Sequence, residues 1–276
     1  MLATYRFLLS RRWLGLLAAA IAAAALCAAL GRWQLDRLHQ RHARNAVIEH
    51  NLGAAPVPAA DLLRPGHPLP TGQQWRRVTA TGRYDTGHEL VVRNRTLDGA
   101  VGYHVLTPLV TEQGPALLVD RGWVPTAETA ATRPDVPPPP SGEATVTARM
   151  RQAEPPKHGP APPAGQVTRI AVATIARSLP YPVYGGYGEL VAQDPPSRPA
   201  PTALPPPEVS EGPHLAYAFQ WFLFGLMALG GYVVLARREA RDLAAGRPGR
   251  AGRPGRPGPA NRTASAPRPV PTRADG

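Results

Sequence analysis

Cysteine is nearly absent from this chain: among 276 residues only Cys27 occurs, inside an apolar run. An intrachain disulfide and a cysteine-based zinc site are therefore excluded, and any folded domain must hold without cross-links. Lysine is equally scarce, with Lys157 alone against thirty arginines. Together with abundant alanine, proline and glycine, this looks like the codon bias of a GC-rich bacterial genome. Hydrolase signatures are missing as well. There is no Gly-x-Ser-x-Gly, no His-Glu-x-x-His and no cysteine nucleophile outside the apolar run, so a membrane-tethered hydrolase is the weakest functional reading. No enzyme activity is expected.

Acidic residues are absent from two long apolar stretches. Leu14 to Leu30 is uncharged and mostly alanine, and Leu215 to Ala236 gives 22 residues without a formal charge. At 1.5 Å rise per residue, the second can cross a hydrocarbon core of ~30 Å, and the first lies near the lower limit of length. The net charge of +12 divides unevenly: +3 over residues 1–30, +2 over 31–213 and +7 over 214–276. The middle is nearly balanced. The excess in the tails suits topology and an anionic lipid leaflet better than nucleic acid. No aromatic residues interleave with the arginines of a tail such as Arg247-Pro248-Gly249-Arg250, so no nucleic-acid partner is expected.

Arginine placement orients the chain. Arg237, Arg238 and Arg241 follow the second run while Glu208 and Glu211 precede it, which predicts a cytoplasmic C-terminus. The first run is ambiguous, with Arg6, Arg11 and Arg12 before it and Arg32, Arg37, Arg41 and Arg44 after it. Two spans force both termini to one side. The expectation is a multi-pass protein of the bacterial plasma membrane with both termini cytoplasmic. Its segments are a cytoplasmic N-terminus (1–12), a first transmembrane helix (13–31), an extracytoplasmic β-rich domain with proline-rich loops (32–213), a second helix (214–236) and a basic disordered cytoplasmic tail (237–276). A cleaved signal peptide, cut near Ala23-Ala24-Ala25, is the rival for the first run, and Ser10-Arg11-Arg12 faintly resembles a twin-arginine signal. Leu26 is too large for a lipoprotein cleavage site before Cys27. Retention is favoured.

Between the spans, Gly31-Arg32-Trp33-Gln34-Leu35-Asp36-Arg37-Leu38-His39 continues the first helix as a solvated end of mixed charge, with Trp33 placed as an interfacial residue. Residues 53–72 read as a loop, and folding starts near Trp75. Strands are predicted at 78–84, 89–95, 102–109, 116–125 with a turn at Gln113-Gly114, 143–150 and 184–193, with one or two helical turns at 172–179. This is the pattern of an antiparallel sheet or small barrel. Pro137 to Pro140 is a stiff spacer, Pro155 to Gly165 an irregular insert, and Pro195 to Pro207 an extended lead into the second span. Gly82, Gly102 and Gly122 suit turns or bulges, and Tyr103 and Trp123 suit the core. Arg93, Arg95, Asp120 and Arg121 suit ion pairs within the sheet or docking of a partner, Asp120 favouring structure. His39, His42, His88, His104 and His158 show no metal-ligand spacing.

The second span opens on His214. On a helix, His214, Tyr217, Ala218, Trp221 and Gly225 share one face. That face carries a possible metal ligand, two aromatic walls and two small residues, and a flat macrocycle with an iron centre would fit it. Interfacial aromatics, a close helix neighbour at Ala218 and Gly225 and a solvated histidine account for the same residues.

Five stretches together resemble the Surfeit locus protein 1 family. They are Gly31-Arg32-Trp33-Gln34; Gly82-Arg83-Tyr84; Val92-Arg93-Asn94-Arg95 with Gly102-Tyr103-His104-Val105-Leu106-Thr107-Pro108-Leu109; Leu118-Val119-Asp120-Arg121-Gly122-Trp123-Val124-Pro125; and Gly212-Pro213-His214-Leu215-Ala216-Tyr217-Ala218-Phe219-Gln220-Trp221-Phe222. The resemblance covers roughly residues 14–238. It implies a membrane hairpin of two transmembrane helices flanking an extracytoplasmic, mainly antiparallel β (α+β) domain. It further implies an assembly factor for cytochrome c oxidase that holds haem a and aids its insertion into the catalytic subunit. His214 would be the metal ligand, with Tyr217 and Trp221 completing the cofactor-binding set. The oxidase catalytic subunit, the enzymes that make haem a and the lipid bilayer are the implied partners. Covalent attachment is excluded, since no Cys-x-x-Cys-His is present. A scaffold that stabilises oxidase subunits without touching haem is the alternative.

Overall fold

The computed structural model describes residues 2–126, 134–157 and 159–246. His158 and residues 247–276 of the basic tail lie outside the described residues. The elements, in order, are α1 (Arg11–Gly53), β1 (Val57–Pro58), α2 (Ala59–Leu62), β2 (Arg77–Tyr84), β3 (Leu90–Leu97), β4 (Ala100–Thr111), β5 (Ala116–Pro125), β6 (Glu143–Gln152), β7 (Gln166–Val167), α3 (Val172–Ile175), β8 (Val183–Asp194) and α4 (His214–Ala244). The chain forms two compact units. One comprises Met1–Trp33 with the described part of Ala216–Gly276, and the other is Gln34–Leu215.

The first unit is helical. Both α1 and α4 are long and apolar enough to cross a membrane. Within this unit Leu14, Leu16, Ile21, Leu26, Phe219, Leu226 and Met227 are exposed, whereas small residues make the helix–helix contacts. A Cβ placed on Gly225 would lie 3.3 Å from the Cβ of Cys27 and 3.4 Å from the carbonyl oxygen of Ala24, and one on Gly31 would lie 2.8 Å from the Phe222 ring. Ala218 and Gly225 are buried. Close approach at small residues is how helices associate where neither water nor a hydrophobic gradient drives them together. Trp13 and Tyr232 pack edge to face with centroids 5.8 Å apart. The pairing is directly testable because Cys27 is the sole cysteine. A 3.3 Å separation borders the Cβ spacing of disulfides. Gly225→Cys is therefore expected to close a disulfide with Cys27 under mild copper-phenanthroline oxidation, seen as loss of maleimide labelling after denaturation. Full labelling of both thiols would contradict this register.

The second unit starts earlier than Trp75. From Gln34 onward α1 belongs to it, and Gln34, Leu38, Asn45, Ile48 and Asn51 are buried along one helical stripe. Asn51 donates to the carbonyl oxygens of Gly72 and Gln74 at 2.6 and 2.8 Å. The segment expected to be a solvated helix end is thus half covered. Its buried positions are largely amides, which conceal the apolar period. The expected loop at 53–72 contains the short β1 and α2.

The sheet runs β1-β2-β6-β8-β5-β4-β3-β7, and a further pairing of β2 with β4 closes the central strands on themselves. The result is a small five-stranded barrel (β2, β6, β8, β5, β4) with β1, β3 and β7 as extensions. Most ladders are antiparallel, but β1–β2, β3–β7 and β5–β8 are parallel. Closure happens at Gly82, which pairs with Thr111 of β4 and Ala144 of β6. A Cβ there would strike the Val110 carbonyl group. Gly102 likewise lies inside a strand, where the Val124 carbonyl and the Trp123 ring fill the space of a Cβ. Both glycines serve close strand approach; of the turns or bulges expected of them, Gly102 lies opposite the β3 bulge between Val92 and Arg95. Gly122 sits beside a bulge between β4 and β5, at φ +133°.

The barrel interior is apolar, filled by Val78, Leu109, Leu117, Val119, Val146, Met150 and Tyr184. At one end it turns polar. Arg121, on the same face of β5 as Leu117 and Val119, bonds Glu89 at 3.1 Å and the Pro137 carbonyl at 2.9 Å, and Thr107 donates to Glu89 at 2.9 Å. Burial lowers the Arg121 pKa, which Glu89 and Tyr84 oppose, and burial raises that of Tyr84 against Arg121. A second core, including Val92, Leu106, Leu118, Ile170, Ile175 and Tyr187, fills the opposite face of β4 and β5 under α3.

Candidate functional site

His214 is the first residue of α4 and is half-buried. Its Nδ1 lies 2.9 Å from Oε1 of Gln34, a buried residue of α1. An amide oxygen can only accept, so Nδ1 carries the proton and donates it. In a neutral imidazole the lone pair then rests on Nε2. Gly212 turns with φ +67°, and a Cβ there would lie 3.5 Å from Nε2. Tyr217 and Trp221 lie three and seven residues farther along the helix, Tyr217 exposed and Trp221 half-buried with its ring against Phe224 at 6.0 Å. Sequence reasoning did not find Gln34 as a partner. It lay in the quoted stretch Gly31-Arg32-Trp33-Gln34, but 180 residues separate it from His214.

The second unit ties down the lead-in to His214 at Thr202, Leu204 and Pro205. Thr202 exchanges both backbone hydrogen bonds with Trp123 at 2.8 Å. The Thr202 carbonyl passes where a Cβ of Gly122 would stand, so only glycine fits. Arg149 donates to the carbonyls of Leu204 and Pro205 at 3.0 and 3.2 Å. Arg149 and Arg151 also flank Glu189 at 3.4 and 2.8 Å. Burial raises the pKa of Glu189, against the pull of these two arginines. Close by, His104 Nδ1 meets Asp120 Oδ2 at 2.7 Å, with the carboxylate side chain only 1% exposed. His104, whose spacing suggested no metal ligand, has its ring oriented by this carboxylate. Among the described residues no group of three or more His, Cys, Asp or Glu side chains could enclose a metal ion.

Of the arginines, Arg121 pairs with Glu89 and Arg95 with Glu154 at 2.7 Å, as ion pairs in the sheet require. Tyr103 is core, whereas Trp123 is only half-buried and uses its indole N–H to bond the Arg95 carbonyl at 3.0 Å. A polar tip with a backbone partner at the sheet margin explains that departure.

The model of the SURF1 family matches residues 21–226, a span that contains both Gln34 and His214. The chain belongs to the SURF1 family. An uncharacterized SURF1-like protein of Mycobacterium bovis is 34% identical over 250 residues, covering 88% of this chain and 91% of its own length. A protein of Saccharomyces cerevisiae named cytochrome oxidase assembly protein SHY1 is 30% identical over 96 residues, covering 34% of this chain and 24% of its own. A SURF1-like protein of Rickettsia bellii is 33% identical over 96 residues, covering 34% of this chain and 37% of its own. In this SURF1-family chain, what His214 and its surroundings can do chemically is hold one imidazole by its Nδ1 and offer its Nε2 at the start of an apolar helix.

Proposed function

We propose that this chain is an assembly factor for cytochrome c oxidase that holds haem a through His214 and aids its insertion into the catalytic subunit. Membership of the SURF1 family, together with the likeness to the yeast assembly protein, supports the oxidase half. The Gln34–His214 hydrogen bond carries the haem half, because it leaves Nε2 as the free donor. The fit is one of donor chemistry. Haem supplies an iron centre that accepts an imidazole lone pair and a flat apolar ring that aromatic side chains can cover. His214 is the ligand, and Tyr217 and Trp221 are the flanking walls. Holding the group through one histidine would suit a carrier, which must let go. The chain acts as a carrier rather than a catalyst.

The arginines Arg237, Arg238 and Arg241 near the end of α4 and the acidic residues Glu208 and Glu211 before it support a plasma-membrane hairpin with both termini cytoplasmic and Gln34–Leu215 outside. The oxidase catalytic subunit is the acceptor, and the enzymes that make haem a are the suppliers. The test is to purify the full chain in detergent from cells able to make haem a and to record its visible spectrum. A Soret band with the pyridine haemochrome of haem a is expected. A colourless protein overturns the carrier reading and leaves a scaffold that clamps oxidase subunits.

A further inference from the structure

We propose that Gln34 is the positioning residue for His214, and that its neutral amide, in place of a carboxylate, keeps the histidine a donor weak enough to release its cargo. This rests on the haem-carrier reading. The second ring nitrogen of a ligating histidine sets the strength of the first. A carboxylate on Nδ1–H draws the proton toward itself and makes Nε2 a stronger base. An amide oxygen orients the ring without that push.

Both arrangements occur in this one chain. His104 gives its Nδ1 to the buried Asp120 carboxylate at 2.7 Å, whereas His214 gives its Nδ1 to Gln34 at 2.9 Å. Gln34 is only 9% exposed, so water competes poorly for its oxygen and the ring orientation persists. Gly212 completes the arrangement, since no side chain shields Nε2 from that side. On release His214 would keep its Nδ1 proton on Gln34 and its Nε2 lone pair, so the chain itself would neither gain nor lose a proton. A binding histidine that must only hold would gain from an acid at position 34. One that must hold and release gains from the amide.

Two measurements test this on the full-length protein in detergent. First, the haem-free chain is labelled with 15N-histidine, and the tautomer of His214 is read from its ring nitrogen shifts. The Nδ1–H form is expected to dominate in the wild type and to become a mixture in Gln34→Leu. Second, the haem-loaded protein is mixed with apomyoglobin, and release is followed by the Soret change. Gln34→Glu is expected to slow release and Gln34→Leu to weaken retention, each by about 10- to 100-fold, the range for changes behind a metal ligand. An Nε2–H tautomer in the wild type overturns the positioning role. Equal release from wild type and Gln34→Glu overturns the role of the amide. Wild-type protein that takes up no haem overturns the carrier reading and the release claim with it, while the tautomer measurement still decides whether Gln34 positions the ring.

Discussion

Substituting His214 by glycine is expected, on the carrier reading proposed above, to lower haem retention of the purified chain by roughly 100-fold, since it removes the proposed ligand itself rather than a group behind it. Free imidazole added at millimolar concentration is expected to restore the Soret band, because glycine leaves a ring-sized gap beneath the Gln34 oxygen. Leucine at the same position fills the gap and should stay unrescued. The fold should survive both changes. His214 stands at a helix start, where glycine is tolerated, and its bond to Gln34 contributes about 1 kcal/mol. Thermal unfolding run beside the spectra separates loss of ligand from loss of structure. Pigment retained by the glycine variant without imidazole would remove His214 from the site.

Replacing Arg121 with leucine is expected to be the most damaging single change in the second unit. Its side chain is 1% exposed and that of Glu89 is 9% exposed, so the substitution takes a cation from beside a carboxylate inside the barrel end, where Thr107 still donates to it. Breaking one side of such a pair costs about 3–5 kcal/mol, which lowers the melting temperature by on the order of 10 °C for a unit of this size. The Pro137 carbonyl and the Tyr84 ring also lose their cationic neighbour. Adding Glu89→Leu to Arg121→Leu is expected to recover much of the loss, because the buried charge leaves with its partner. The check is tryptophan fluorescence during heating of the detergent-solubilised chain. A single variant that melts with the wild type would mean that water reaches Glu89.

Much of this was readable from residue order. Period-two alternation marked β2, and short runs between turn residues marked β3 to β6 and β8, each within a residue or two. The apolar runs marked both long helices, although α1 runs on to Gly53 and α4 to Ala244. Three things were hidden for physical reasons. The helical stripe after Gln34 buries Asn45 and Asn51 beside Leu38 and Ile48, with Asn51 against the Gly72 and Gln74 carbonyls, so its apolar signature is weak. The parallel pairing of β5 with β8 is a matter of topology, which short runs do not encode. The partnerships Gln34–His214, Arg121–Glu89 and His104–Asp120 depend on which side chains the closed barrel and the helix ends bring within reach. His214 could be singled out as a donor at a helix mouth. What the chain does with its other nitrogen required three dimensions.

The parallel β5–β8 ladder has a consequence for how the protein is made. β5 finds β4 at once through the tight turn at Gly114, but its other edge waits for the final strand of the chain. Until β8 leaves the ribosome, Asp120 and Arg121 sit on a strand with one bare edge, and the ring has no means of closing. Pairings so distant along the chain are slow to form, and an open edge invites the wrong partner. A nascent chain halted before Val183 would therefore lack not the end of the domain but its middle.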